Sequence, residues 1–283
     1  MSELTKRIIV ATVGIPFAFF VVYLGGIAFN IVIALIASLA LKEFYDIAEK
    51  KGYPTFKIWG IFLGLIPFAL SLVGHFYQES LSFLLAIPVI TSISLILLVF
   101  GTLFLVLFSK RQNSIASIGT MLTGFFYISC SFFTLVLLRN SNFGDNENFR
   151  LFVVIIMFCS IWICDSAAYF IGRKFGKRKL LERVSPKKTI EGAIAGFIAS
   201  TIFFPLAAIF LLPDFNFIYS LLLGLIVGIF GQVGDLIESK LKRDADVKDS
   251  SNLIPGHGGI LDRFDSIIFV SPLVTMFLVI LHF

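Results

Sequence analysis

Asp235 and Asp262 stand at two helix ends late in the chain, with Lys242, Arg243, Lys248 and Arg263 around them in sequence. Acids alone would suit a cation, and bases alone an anion. Interleaved, they suit a divalent metal bridging carboxylate to phosphate, because Mg2+ takes oxygen ligands and is usually held by one or two carboxylates plus substrate phosphates. The helix carrying Asp235 also puts Glu238, Ser239 and Lys242 on the same face, at i+3, i+4 and i+7. A solvated helix end accounts for Glu238 and Lys240 but not for Asp235, which follows a long apolar run. The next segment, LIPGHGGILDRFD, breaks at Pro255 and sets glycines around His257, where backbone N–H groups can approach an anion without a Cβ in the way. No second His or Cys lies near His257 to complete a zinc site, so it is read as a phosphate donor or an orienting residue. Asp265 follows Asp262 at i+3.

Upstream, IWICDSAAYFIG places Asp165 inside an apolar run. An intramembrane carboxylate marks a site or pathway by default. The alternatives are a structural Asp bonded to a neighbouring helix and a polar group projecting into a water-filled cavity. Arg173, Lys174, Lys177, Arg178, Lys179 and Arg183 read as an anchor at an inner helix end. Ser185-Pro186 then breaks the chain, so Lys187 and Lys188 lie near a helix N-terminus, where they either bind phosphate or extend the anchor. No GxxxxGK[ST] loop, kinase signature or strand-borne GxGxxG is present, which excludes the soluble nucleotide-binding folds.

The elements that must position these groups are apolar helices. The chain has 283 residues, 58% of them hydrophobic and 34 of them Phe, with a mean hydropathy of +0.96. These values lie outside the soluble range and imply an all-α polytopic integral membrane protein. A bilayer core about 30 Å thick needs roughly 20 apolar residues per span. About nine spans result, near 8–26, 30–47, 57–76, 81–108, 114–138, 151–172, 191–212, 217–238 and 266–283. The runs are apolar on every face, which argues against a transmembrane β-barrel. The charged N-terminus reads as a retained first helix rather than a cleaved signal. With nine spans, every Lys and Arg except Arg139 and Arg150 falls on the N-terminal side, so that side is cytoplasmic and the C-terminus lies opposite. The net charge of +5 averages two unlike faces, and the basic one suits anionic headgroups or phosphorylated substrates. Cys130, Cys159 and Cys164 lie in spans and read as reduced structural thiols. Residues 1–283 read as a single transmembrane domain, with 1–138 mainly scaffold and 151–283 carrying the site. Lys42, Glu43 and Asp46, at the end of the second span, read as interfacial.

Residues 239–265 resemble the signature of the phosphatidate cytidylyltransferase family, the CDP-diacylglycerol synthases. The resemblance rests on Ser239, Lys242-Arg243, Lys248-Asp249, Ser251, Ile254-Pro255, His257-Gly258-Gly259 and Asp262-Arg263-Phe264-Asp265. DSAAY at 165–169, GRKFGK at 172–177 and SPKKTIEG at 185–192 extend it over the C-terminal half; Ser166 and Ala167 stand where relatives commonly carry Thr and Gly. The N-terminal half agrees in hydropathy alone. The resemblance implies cytidylyl transfer from CTP to phosphatidate in a prokaryotic cell membrane, with the site facing the cytoplasm. It also implies Mg2+, a monovalent cation such as K+, and a homodimer. Carried onto this sequence, it makes Asp235 and Asp262 the metal ligands. Lys242, Arg243, Lys248, His257 and Arg263 are expected to share the catalytic work with them. Asp165, Ser185, Lys187, Lys188, Ser239, Asp249, Gly258, Gly259 and Asp265 are expected to contact substrate. A CTP-dependent lipid-alcohol kinase would use a similar cation site. A secondary transporter would need midplane broken helices related by a repeat, and no such repeat is seen.

Overall fold

Continuous apolar runs satisfy their backbone inside helices, and the computed structural model shows them doing so. It describes residues 3–76, 81–110, 113–140, 147–254, 256 and 258–282. The helices are α1 (Glu3–Leu24), α2 (Gly26–Lys50), α3 (Lys57–Gly64), α4 (Ile66–Phe76), α5 (Leu81–Leu107), α6 (Ser114–Gly124), α7 (Ser131–Asn140), α8 (Glu147–Phe175), α9 (Ile190–Leu211), α10 (Phe217–Asp244) and α11 (Leu261–His282). A π-helical stretch, Phe125–Cys130, joins α6 to α7, and a hairpin of β1 (Lys179–Leu181) and β2 (Ser185–Thr189) separates α8 from α9.

Six helices among the described residues are long and apolar enough to cross a membrane: Gly26–Lys50, Ser114–Asn140, Glu147–Phe175, Ile190–Leu211, Phe217–Asp244 and Leu261–Leu281. Three shorter apolar helices, Thr12–Leu24, Lys57–Val73 and Thr91–Leu107, fall within the first, third and fourth expected spans. The chain is therefore an all-α membrane protein with one small hairpin. The second span runs longer than the hydropathy suggests, because LKEFYDIAEK stays helical to Lys50. The third is interrupted at Leu65, next to Pro67, whose ring removes an N–H and crowds the preceding turn.

The chain divides into two compact units, residues 1–136 with 244–263, and residues 137–243 with 264–283. In the first unit α2 is the buried centre, with Phe29, Ile33, Ala37, Ala40, Leu41, Phe44 and Tyr45 all shielded. The Tyr45 ring fits because Gly60 and Gly124 face it; a Cβ on Gly124 would lie 2.7 Å from its oxygen. At the helix end Lys57 joins Asp46 and Glu49, the latter at 2.8 Å.

In the second unit α8 and α9 pair most extensively. Small residues allow it: a Cβ on Gly196 would sit 2.7 Å from the Cys164 carbonyl, and one on Gly192 would sit 2.6 Å from that of Ala168. α10 docks on α9 in the same way, with Ser200 Oγ donating to the Gly224 carbonyl at 3.3 Å and Gln232 Nε2 to the Ala193 carbonyl at 3.1 Å.

Among the described residues the Tyr45 hydroxyl is buried with no hydrogen-bond partner. Tyr45→Phe is therefore expected to hold or raise the thermal midpoint in detergent, since it removes a desolvated hydroxyl. Tyr45→Ala should lower stability by on the order of 3 kcal/mol through the cavity it leaves. A marked loss in Tyr45→Phe would show that the hydroxyl has a partner.

Candidate functional site

Each unit holds a polar centre among its described residues, built at helix ends. In the second unit the centre starts from α10, where GQVGD brings two glycines against α11. A Cβ on Gly234 would meet the Asp265 carbonyl at 2.5 Å, and Ser266 Oγ donates to the Gly231 carbonyl at 3.0 Å. This close approach sets Asp235 beside Asp265. Asp235 accepts from the Lys188 ammonium through one carboxylate oxygen and from Ser239 Oγ at 3.3 Å through the other. Asp235, Asp165 and Lys188 all lie within electrostatic reach of Asp265. Asp165 is exposed rather than buried between helices.

Lys188 is placed by the hairpin. Thr189 caps α9, its side chain accepting from Gly192 N at 3.2 Å, so Lys188 immediately precedes a helix N-terminus as the sequence suggests. Glu191 holds the base of the hairpin by accepting from Lys177 N at 3.0 Å and Arg178 N at 3.3 Å. Lys179 Nζ donates to the Pro186 carbonyl at 2.6 Å, and Arg243 Nε donates to that of Val184 at 3.4 Å. Ser185 is half-buried and Lys187 exposed. On α10, Glu238 is not solvated: it is 1% exposed and pairs with Lys242 at 2.6 Å.

In the first unit the centre is the signature loop. Asp262 Oδ2 accepts from Ser250 N at 2.9 Å, Ser250 Oγ at 2.9 Å and Gly259 N at 2.7 Å. The glycines thus bring backbone N–H to an anion, and in this structure that anion is the chain's own carboxylate. Gly258, at φ +83°, could not be another residue without strain, and its Cβ would meet Asp262 Oδ2 at 2.6 Å. Ile254 N donates to the Gly258 carbonyl at 2.9 Å and closes the turn. Lys248, Asp249 and Arg263 are exposed around it. Pro255 and His257 lie outside the described residues.

Sequence reasoning treats Glu43 as interfacial; the structure buries it at 3% exposure. Its carboxylate accepts from Ser250 Oγ at 2.9 Å, Ser251 Oγ at 2.6 Å, Ile260 N at 3.0 Å and Leu261 N at 2.8 Å. The available signal was an acid in a run otherwise buried on that face of α2, which contact with wet headgroups does not explain. Ser250, which touches both Glu43 and Asp262, was also missed; it sits within the signature beside Ser251.

As a metal centre, the donor set consists of carboxylate and hydroxyl oxygens. Among the described residues no three His, Cys, Asp or Glu side chains form a ready-made cage. A Zn2+ site of nitrogen and sulfur donors does not fit the described side chains. Mg2+, which keeps waters and borrows phosphate oxygens, does. Among the described residues, Asp235 and Asp165 together with Lys188 act electrostatically on Asp265, a carboxylate-rich surrounding that suits a cation.

Apolar helices with acids and lysines gathered at their ends define an integral membrane protein with polar centres at helix termini. The chain belongs to the cytidylyltransferase family, which it matches over residues 5–281. It is 37% identical over 299 residues to a phosphatidate cytidylyltransferase of Synechocystis, covering 98% of this chain and 97% of that protein. A Bacillus subtilis protein of the same name is 35% identical over 276 residues, 96% of each chain. One from Staphylococcus aureus is 40% identical over 195 residues, 68% of this chain and 71% of the other. The resemblance drawn from residues 239–265 is borne out, and it extends through the N-terminal half.

Gly234→Ala should disturb the second-unit centre, because the atom it meets is backbone and cannot swing away. A fall in thermal midpoint equivalent to about 1–3 kcal/mol is expected, together with lower activity. Gly14→Ala, with nothing within 4 Å of the added Cβ, should leave both unchanged.

Proposed function

We propose that the chain transfers a cytidylyl group from CTP to phosphatidate, forming CDP-diacylglycerol and pyrophosphate. The observation that carries this reading is the match, over 96–98% of the chain, to two proteins named phosphatidate cytidylyltransferase. The reaction needs a phosphate oxygen of phosphatidate to attack the α-phosphorus of CTP while pyrophosphate leaves from the opposite side. Two polyanions must approach, and fixed positive charge has to offset their repulsion.

On this reading Asp235 and Asp262 are the ligands of Mg2+, which when bound polarises the phosphoryl oxygens and neutralises developing charge. A monovalent cation such as K+ and a second copy of the chain, as a homodimer, belong to the same reading. Lys188 and Lys187 offer ammonium groups at the start of α9, and Lys248, Arg263 and Arg243 offer exposed cationic ends. Lys242, paired with Glu238, contributes by fixing the end of α10. His257 donates to phosphate, and Ser185, Ser239, Asp165, Asp249, Asp265, Gly258 and Gly259 complete the substrate contacts, Gly259 by closing the loop with its amide on Asp262. In the structure Lys188 and Asp235 neutralise each other. A phosphate that draws Lys188 away leaves the Asp235 carboxylate to a cation, so anion and cation binding support one another here.

The reading also includes nine spans, a cytoplasmic N-terminus and a site at the cytoplasmic face of a prokaryotic cell membrane. The positive-inside distribution of Lys and Arg supports it. A phosphatidate headgroup already lies at that interface, and CTP reaches it from the water.

Purified chain supplied with CTP labelled in the α-phosphate, phosphatidate and Mg2+ should yield labelled CDP-diacylglycerol and free pyrophosphate, and chelation should stop it. Release of CDP instead would indicate a lipid-alcohol kinase. Asp235→Asn and Asp262→Asn should each lower turnover by on the order of 100-fold or more while inserting normally into membranes. Wild-type activity in either would overturn its assignment as a metal ligand.

A further inference from the structure

We propose that Glu43, on α2 in the N-terminal half, is a positioning residue that holds the signature loop and, through Ser250, orients the Asp262 carboxylate. The proposal rests on the function read above and adds to it a residue more than 200 positions away from the loop it serves.

Burying a carboxylate is expensive unless donors replace its water. Glu43 has four, all from the loop and the start of α11, and they divide evenly between its oxygens. Oε1 takes Ser251 Oγ and Ile260 N; Oε2 takes Ser250 Oγ and Leu261 N. Ile260 N and Leu261 N belong to the orphan donors at a helix N-terminus. Glu43 is thus a capping anion delivered from another helix, and its charge suits the positive end of the α11 dipole.

A cap alone would not involve Asp262, but Ser250 does. Its hydroxyl lies 2.9 Å from Glu43 Oε2 and 2.9 Å from Asp262 Oδ2, and its backbone N–H also serves Asp262. A serine carries one hydroxyl proton. When Asp262 is otherwise engaged, that proton can turn to Glu43, so the two carboxylates share one donor and one placement. Gly259 makes this possible: any Cβ there would collide with Ser250 Oγ and lie 2.6 Å from Glu43 Oε1.

The even division of donors makes Glu43→Gln a sharp test. Whichever way the amide is turned, its NH2 group faces a backbone N–H, either that of Ile260 or that of Leu261. A hydroxyl can rotate to accept; a backbone N–H cannot. Ser250→Ala removes only the bridge and keeps the test available if the Gln variant folds poorly.

Two measurements on the full chain in lipid nanodiscs, neither needing turnover, decide the matter. In metal-free buffer, hydrogen exchange across 249–261 should quicken by about tenfold or more in Glu43→Gln, with α8 and α9 unchanged. Mn2+ binding, followed by electron paramagnetic resonance, should weaken by about 10–100-fold in both variants, the range typical of losing a residue that orients a metal ligand. Unchanged exchange in the Gln variant would overturn the proposal. Faster exchange with wild-type Mn2+ affinity would also overturn it, leaving Glu43 a purely structural cap. If the wild-type chain makes no CDP-diacylglycerol, the reading of its function fails, and these two measurements still report separately on Glu43.

Discussion

A carboxylate set among apolar helices must be met by donors or by a cation, because hydrocarbon supplies neither. That requirement organises each polar part of this protein. Glu43 is met by the Ser251 hydroxyl and two backbone N–H groups, Asp262 by two backbone N–H groups, with the Ser250 hydroxyl shared between them, Glu238 by Lys242, and Asp235 by Lys188 and Ser239. The local structure around each acid follows from who serves it. Where backbone serves, the chain must bend into a tight loop. Where a lysine serves, an ordinary helix or hairpin suffices.

Close backbone approach is the second half of the same constraint. The glycines at 231, 234, 258 and 259 lie beside the carboxylates, and at Gly234, Gly258 and Gly259 an added Cβ would land within 2.6 Å of a carbonyl or carboxylate oxygen. The glycines at 192 and 196 do the same work between α8 and α9, where close packing replaces the hydrophobic drive that lipid cannot supply. At these positions glycine is therefore less a source of flexibility than a removal of bulk at close contacts.

The spans were legible because continuous hydropathy is a long-range average that survives local errors, and the acids at 235, 262 and 265 were legible because charge is rare in such a chain. Helix detail was not. The π-helical stretch at Phe125–Cys130 and the short hairpin at 179–189 leave no mark on a hydropathy window. Glu43 escaped for a related reason: its partners lie more than 200 residues away, so in sequence it looks like the end of a wet helix. Glu238 misled in the same way, since burial by tertiary packing is invisible in a motif. Local spacing groups the acids and bases of the signature, whereas the contacts that hold them are long-range.

Two lysine–carboxylate pairs show how burial sorts cations that look alike in sequence. Lys242 and Glu238 are 12% and 1% exposed, and removing one partner of such a buried pair typically costs about 3–5 kcal/mol, because the other is left uncompensated. Lys188 and Asp235 are each 30% exposed, so that pair is less fully desolvated than the first. Drawing Lys188 away from its carboxylate therefore costs less than drawing Lys242 from Glu238. The lysine free to exchange partners is the one that a helix N-terminus already places where anions bind, and the acid it releases is the one flanked by further carboxylates. The difference in burial between the two pairs thus separates a lysine locked to its own helix, Lys242, from one that reaches across from the hairpin, Lys188.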